Sequence, residues 1–276
     1  MHSVSDGSSR GGAISLLVTV KAYPAISRRH GEAVCVAGVR TDRPGGWVRL
    51  WPMQFRDLPF AHRFQKYQVI RLQVGRSSDR RPESFRPVAD SMSVGRLVGT
   101  TKGWSERKRH VNPLVVESMC TIADQQRRDG TSLGVFRPRE VLDLVIEKDE
   151  AEWDGGKMAV ISQPSLFAPD KTALKKIPYR FKYRYNCVTS GCPTHEQSVI
   201  DWEIGQAFLS WTQYPERERL NKIRDKWLGE LCSVERDTHF FVGNQHLFPT
   251  SFVVLGVFYP PKVVDSSPAQ LPLALE

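Results

Sequence analysis

At 276 residues, 40% hydrophobic and 25% charged, the chain can bury a sizeable core and has the composition of an ordinary soluble globular protein. No apolar run approaches the ~20 residues that span a bilayer, and the polar, Ser/Gly-rich opening is unlike a secretory signal, so a cytoplasmic protein with no membrane partner is expected. The net charge of +9 points to polyanionic partners, nucleic acid first among them.

In chain order, residues 1–13 read as a flexible start. Short strands are expected at 16–20, 32–39, 47–51 and 67–74, separated by Gly/Pro turns such as Thr41-Asp42-Arg43-Pro44-Gly45-Gly46. In the third of them Trp47, Arg49 and Trp51 share one face. Several short strands at this spacing predict a small β-barrel of the OB or PUA kind over 14–110, and such barrels often carry nucleic acid. Residues 76–110 are polar and basic. There Trp104 precedes the cluster Arg107-Lys108-Arg109-His110, which reads either as a loop following a phosphate backbone with Trp104 on a base, or as a solvated loop whose Trp plugs the core.

Asn112-Pro113 reads as a helix start, with apolar spacing through Ala123 and a stop at Gly130. Strands are expected at 133–136 and 141–146, and a further strand and turn at 157–167. Asp143 with Glu147-Lys148 does not make a nuclease carboxylate pattern, because the adjacent Glu and Lys point to opposite faces of a strand. Five cysteines, an odd number, argue against a disulfide framework; Cys35 and Cys120, in apolar contexts, read as buried free thiols.

The densest chemistry follows. Tyr179, Phe181, Tyr183 and Tyr185 alternate with Arg180, Lys182 and Arg184, so a strand places aromatics on one side and cations on the other. The aromatics read first as core, and the cations as phosphate contacts. Cys187-x4-Cys192-x2-His195 is a soft-donor set at a turn and suits Zn²⁺, with His239, Cys232 or His246 as candidates for a fourth ligand. Ser198 reads as the N-cap of a helix with Asp201 as its reciprocal cap. Asp201 and Glu203 serve either as helix-start carboxylates or, with His195, Asp237 and His239, as a metal-binding or catalytic group acting on a phosphodiester. A second helix is expected over 216–232, then a closing hairpin from Asp237 to Pro261, then a disordered tail over 261–276.

The run Lys176-Ile177-Pro178-Tyr179 to Tyr185, the Cys187/Cys192/His195 spacing, Asp201-Trp202-Glu203, Asp237-x-His239-Phe240-Phe241-Val242-Gly243 and Gly256-Val257-Phe258-Tyr259-Pro260-Pro261 together resemble a family of bacterial proteins with no established activity. Lys21-Ala22-Tyr23-Pro24 and Glu32-x-Val34-Cys35-x-Ala37-Gly38 resemble its opening. The resemblance covers most of the chain and implies a context of genome defence or repair.

These readings predict an α+β chain: a small β-barrel over 14–110, then a mixed sheet with two helices and a Cys/Cys/His turn over 111–260. The expected function is nucleic-acid binding in DNA or RNA processing, repair or defence, with zinc as the cofactor. Arg49, Trp104, Arg107, Lys108, Arg109, Arg180, Lys182 and Arg184 are the candidate contacts. The alternatives are a metal-dependent hydrolase of nucleic acid using His195, Asp201, Glu203, Asp237 and His239, and an adaptor whose basic face meets an acidic protein in a multi-component system.

Overall fold

The structure is a computed structural model and describes residues 11–43, 45–161 and 172–262. Most of the expected flexible start and tail, and half of the strand and turn expected over 157–167, lie outside the described residues.

The N-terminal strands are β1 (Gly12–Lys21), β2 (Ala25–Ser27), β3 (Gly31–Arg40), β4 (Trp47–Met53), β5 (Gln68–Arg76), β6 (Ser84–Pro87) and β7 (Ser93–Leu97). They run in the order β1-β3-β4-β6-β5, and antiparallel pairing of β1 with β5 from Gly12↔Val74 to Leu17↔Val69 closes a five-stranded barrel. β7 adds to β5 outside the ring. Alternation decides what fills it: Leu16, Val18, Val36, Leu50, Ile70 and Leu72 point inward and are buried. Gly38 is required where β3 crosses β1, since a Cβ there would lie 2.1 Å from the Leu17 carbonyl oxygen.

The basic stretch after β5 is only partly a loop. It supplies β6 and β7, and ends in α1 (Thr101–Val111). Lys102, Gly103 and Trp104 all have positive φ, a left-handed turn that L-residues adopt only where surroundings hold it. Here it swings Trp104 inward against Phe258 and Tyr259, at 5.7 and 4.9 Å between ring centroids. Trp104 is thus a core plug and no stacking platform.

The remaining elements are β8 (Val115–Val116), α2 (Met119–Asp129), β9 (Leu133–Phe136), β10 (Glu140–Lys148), α3 (Gly155–Ile161), β11 (Tyr179–Asn186), β12 (His195–Val199), α4 (Trp202–Ser210), α5 (Glu216–Arg224), β13 (His239–Asn244) and β14 (Phe252–Phe258). α5 runs on into a π-helical stretch, Asp225–Glu230. The strands form a mixed sheet in the order β10-β11-β12-β14-β13-β9-β8. The architecture is therefore α+β, a closed barrel followed by a mixed sheet with helices.

The continuous apolar runs of β13 and β14 are explained by cover on both faces. One face packs on the helices through Tyr183, Phe240, Val254, Phe208, Ile223 and Trp227. The other meets the outside of the barrel, where Leu17, Val20 and Ala37 join Phe241, Leu255 and Phe258 in one buried cluster. Arg49 belongs to this contact. Only 2% exposed, it donates to the Ser132 carbonyl and hydroxyl at 2.8 and 3.0 Å, and so ties barrel to sheet instead of facing a ligand.

Three local expectations are corrected. Asn112-Pro113 opens only a single 3-10 turn; Ser118 caps α2, its hydroxyl accepting from the Thr121 N–H. Ser198 lies within β12, and Asp201 is the true cap of α4, accepting from the Glu203 N–H. Residues 155–161 form α3, where a strand was expected from 157.

Candidate functional site

Two antiparallel strands, β11 and β12, are joined by a turn in which Gly191 takes φ +70° and the Cys192 N–H donates to the Thr189 carbonyl at 3.2 Å. The turn folds Cys192 back toward Cys187 and His195. The N-terminal turn of α2 brings the fourth donor, Cys120. Cys192 Sγ lies 3.1 Å from Cys120 Sγ and 2.9 Å from His195 Nε2, and the Cys120–His195 separation is 3.8 Å. All four ligand atoms lie within 4.8 Å of one another, close enough to hold a metal ion. A tetrahedron with metal–sulfur bonds of about 2.3 Å has edges of about 3.8 Å, so the set fits such an ion with little movement.

With no cation among them the thiols keep their protons: burial first, and the neighbouring Cys120 thiol second, push Cys192 up to about 12. Burial raises the Cys187 thiol pKa, and the backbone N–H groups of Met119 and Cys120 at the start of α2 oppose that rise. Burial lowers His195, which favours the neutral imidazole that ligates, and its ring stacks on Tyr185 at 5.1 Å and 20°. Ser118, the α2 cap, also accepts from the Thr189 hydroxyl at 2.8 Å, fixing turn to helix. A set of three Cys and one His is complete without water, the pattern of a site that holds structure together.

Cys120, read from sequence as an inert thiol, fills the place sought for His239, Cys232 or His246. His239 is engaged through Nδ1 with the Asp237 carbonyl at 2.9 Å, Cys232 lies on the Trp227 carbonyl at 3.3 Å, and His246 meets Asp79 at 3.3 Å. The five residues grouped as a hydrolase site fall into three sets: His195 with the thiols, Asp201 with Glu203, and Asp237 with His239. His195 begins β12 and Asp201 lies beyond its end, a span of about 20 Å for six extended residues. Asp237 pairs with Arg137 at 3.3 Å.

Asp201 and Glu203 do come together, around a cation. Lys66 Nζ lies 2.7 Å from both Asp201 oxygens and 3.1 Å from Glu203 Oε2. Burial works against the Lys66 charge, but the two carboxylates outweigh it and raise its pKa. Asp201, 2% exposed, is pushed up to about 6 by burial, with Lys66 opposing; Lys66 brings Glu203 below its usual range against the effect of burial. One ammonium shared by two carboxylates accounts for the asymmetry. Next to it Lys21, 9% exposed, is lowered to about 8 by burial first and by Lys66 second.

Lys21 therefore weakens the fold at neutral pH. The unfolded chain holds this proton up to about pH 10.5 and the folded chain only to about 8, so stability rises with pH across that window. Lys21→Met is expected to stabilise the protein by about 1–3 kcal/mol at pH 7, with the gain gone by about pH 10.5. Denaturant unfolding at the two pH values checks this.

The cations of β11 are spoken for. Arg180 pairs with Asp149 at 3.2 Å, Lys182 with Glu147 and Glu196 at 2.8 and 3.0 Å, and Arg184 with Asp143 at 3.7 Å. The alternating aromatics form the opposite, buried face, as their period demands. Near α1, the Arg107 guanidinium lies 3.8 Å from the Tyr67 ring centroid, and Lys108 donates to the Pro261 carbonyl at 3.3 Å. Arg109 alone of that cluster is exposed with no ion pair among the described residues.

An unpaired basic surface lies instead on the barrel. The β4–β6 ladder pairs Leu50 with Phe85, inward, so the next step sets Trp51 beside Arg86, outward. Arg86 faces Gly75 across β5, where a Cβ would meet nothing within 4 Å. His30, from the β2–β3 turn, stands edge-on to Trp51 at 6.0 Å. Its pKa is lowered, by burial first and then by Arg29 and Arg86. Neither Arg29 nor Arg86 has an ion pair among the described residues, and both are exposed. Sequence reasoning missed this group because it is gathered from three separate stretches; the outward position of Trp51 on its strand was the one available signal.

Among solved structures, the chain is similar to one described as a murine DNA binding protein bound with ds DNA. The identity is 12% over 92% of this chain and 97% of that one, with a TM-score of 0.30, too low to bear on function. No curated protein matches. Residues 13–113 match the family described as domain of unknown function DUF8758. Residues 115–273, more than half of the chain and including all four metal-ligand candidates, match domain of unknown function DUF8757, and the chain belongs to that family.

Proposed function

We propose that this chain binds nucleic acid through the barrel surface around Trp51, with a zinc ion at the Cys120/Cys187/Cys192/His195 centre holding the sheet domain in shape. The observation that carries the reading is the grouping of Arg29, His30 and Arg86 about a half-buried Trp, with no carboxylate paired to either arginine among the described residues. A net charge of +9 in which the β11 cations are already neutralised leaves its surplus on surfaces of this kind. Cations follow a phosphate backbone and an aromatic face stacks on bases, so the pairing suits a single-stranded or locally opened strand. Three thiolates and one imidazole suit zinc, which prefers soft sulfur with nitrogen in a tetrahedron.

Titration of a fluorescent single-stranded oligonucleotide tests the reading. Trp51→Ala is expected to weaken binding about ten-fold or more, the usual cost of one lost stacking contact. Equal affinity of wild type and variant would remove this face from the account.

A further inference from the structure

Between α4, the π-helical end of α5 and the barrel lies a cavity of about 500 Å³, within the range of small-molecule sites. Lys21 and the Lys66–Asp201–Glu203 cluster line it together with Trp211, Trp227 and Tyr259. Lys66 is occupied by its two carboxylates. Lys21 is not: its ammonium lies 4.2 Å from the Phe55 ring centroid and 4.9 Å from that of Trp202, and has no hydrogen-bond acceptor or ion pair among the described residues. The residue as a whole is 9% exposed, and an ammonium held only by two ring faces and opening onto a cavity leaves a place for a counter-ion.

Charge decides the sign of the ligand. Lys21, Lys66 and Lys226 face only Asp201 and Glu203, which leaves one positive charge over. The cations lie on both sides of the cavity, while the indoles of Trp211 and Trp227, 6.3 Å apart, offer an apolar wall. We propose that this cavity binds a mononucleotide-sized organic anion, its phosphate on the Lys21 ammonium and its aromatic body against Trp211, Trp227 and Tyr259. The same chemistry is presented by a free mononucleotide and by the phosphorylated end of a nucleic-acid strand.

The experiment is a titration of the full chain with AMP, adenosine and a 5′-phosphorylated dinucleotide, read by intrinsic tryptophan fluorescence. AMP is expected to bind saturably and adenosine at least about ten-fold more weakly, the value of a charge-assisted contact to phosphate. Lys21→Met should lose about ten-fold in AMP affinity while remaining folded. AMP binding weakened by Trp51→Ala and not by Lys21→Met would place the nucleotide on the barrel surface and overturn the cavity site, so the two readings fail separately. A dinucleotide that binds as tightly as AMP identifies a strand end as the source, and one that is excluded identifies a free nucleotide.

No saturable AMP binding by wild type, or equal AMP affinity in Lys21→Met, would overturn the proposal.

Discussion

On the proposed zinc centre, Cys120→Ser is expected to abolish metal binding and to destabilise the protein as severely as Cys192→Ser. The two residues lie far apart in sequence, yet their sulfurs are 3.1 Å apart. Together with Cys187 and His195 they join the first turn of α2 to the β11–β12 turn. Structural zinc sites contribute folding free energy directly, on the order of 10 kcal/mol in small zinc domains. Here much of the sheet has its own core, so a loss of about 4 kcal/mol is expected, on the order of 10 °C in Tm for a chain of this size. Elemental analysis should find about one zinc per chain in wild type and almost none in either variant. Cys232→Ser, at a thiol resting on the Trp227 carbonyl, should keep its metal. Zinc retained in Cys120→Ser would break the assignment of the fourth ligand.

Lys66→Met has the next largest effect. It leaves Asp201, 2% exposed, without the cation that now touches both its oxygens. Removing one partner of a buried pair costs about 3–5 kcal/mol, because the remaining charge has lost both water and its counter-charge. The sign of the pH dependence follows. Asp201 already has its folded pKa raised to about 6 against 3.8, so its proton is held more tightly in the folded chain, and its contribution to stability falls as pH rises through that interval. Without Lys66 the carboxyl rises further. The penalty of the variant should therefore be largest near pH 7.5 and should shrink toward pH 5, where the acid is protonated and uncharged. Urea unfolding at both values measures it, and adding Asp201→Asn to Lys66→Met should recover part of the loss at pH 7.5. A penalty that does not change with pH would show that Asp201 is not the group left unpaired.

The parts legible in sequence were those set by period and by local turn chemistry. The alternation of Tyr179, Phe181, Tyr183 and Tyr185 specified a strand with one buried face, and the closing hairpin expected from Asp237 to Pro261 is the antiparallel pair β13 and β14. The Cys187/Cys192/His195 spacing marked a metal-type turn because all three ligands lie within one hairpin. Cys120 is not legible in sequence, since its role depends on where α2 docks, and Asn112-Pro113 carries a helix-start pattern although Ser118 supplies the cap. With Ser118 as the cap, Cys120 stands in the first turn of α2, its sulfur 3.1 Å from that of Cys192. The proposed convergence of His195 with Asp201 rested on a helix beginning at Ser198. An extended β12 puts those residues at opposite ends of a strand. Cationic segments misled for a related reason: a run such as Arg180, Lys182 and Arg184 shows its charge in sequence, whereas the carboxylates that neutralise it come from β10, from β12 and from Asp149 just past the end of β10.

The central claim is that the barrel surface contacts nucleic acid through phosphate and base together. Its most direct measurement is the oligonucleotide titration repeated over a salt series for wild type, Arg86→Gln and Trp51→Ala. Each phosphate contact releases counter-ions, so wild type should show a steep, linear fall of log affinity with log salt. Arg86→Gln should reduce that slope by about 0.7–1, while Trp51→Ala should lower affinity without changing it. A wild-type affinity independent of salt, or slopes identical in wild type and Arg86→Gln, would contradict the assignment of this surface.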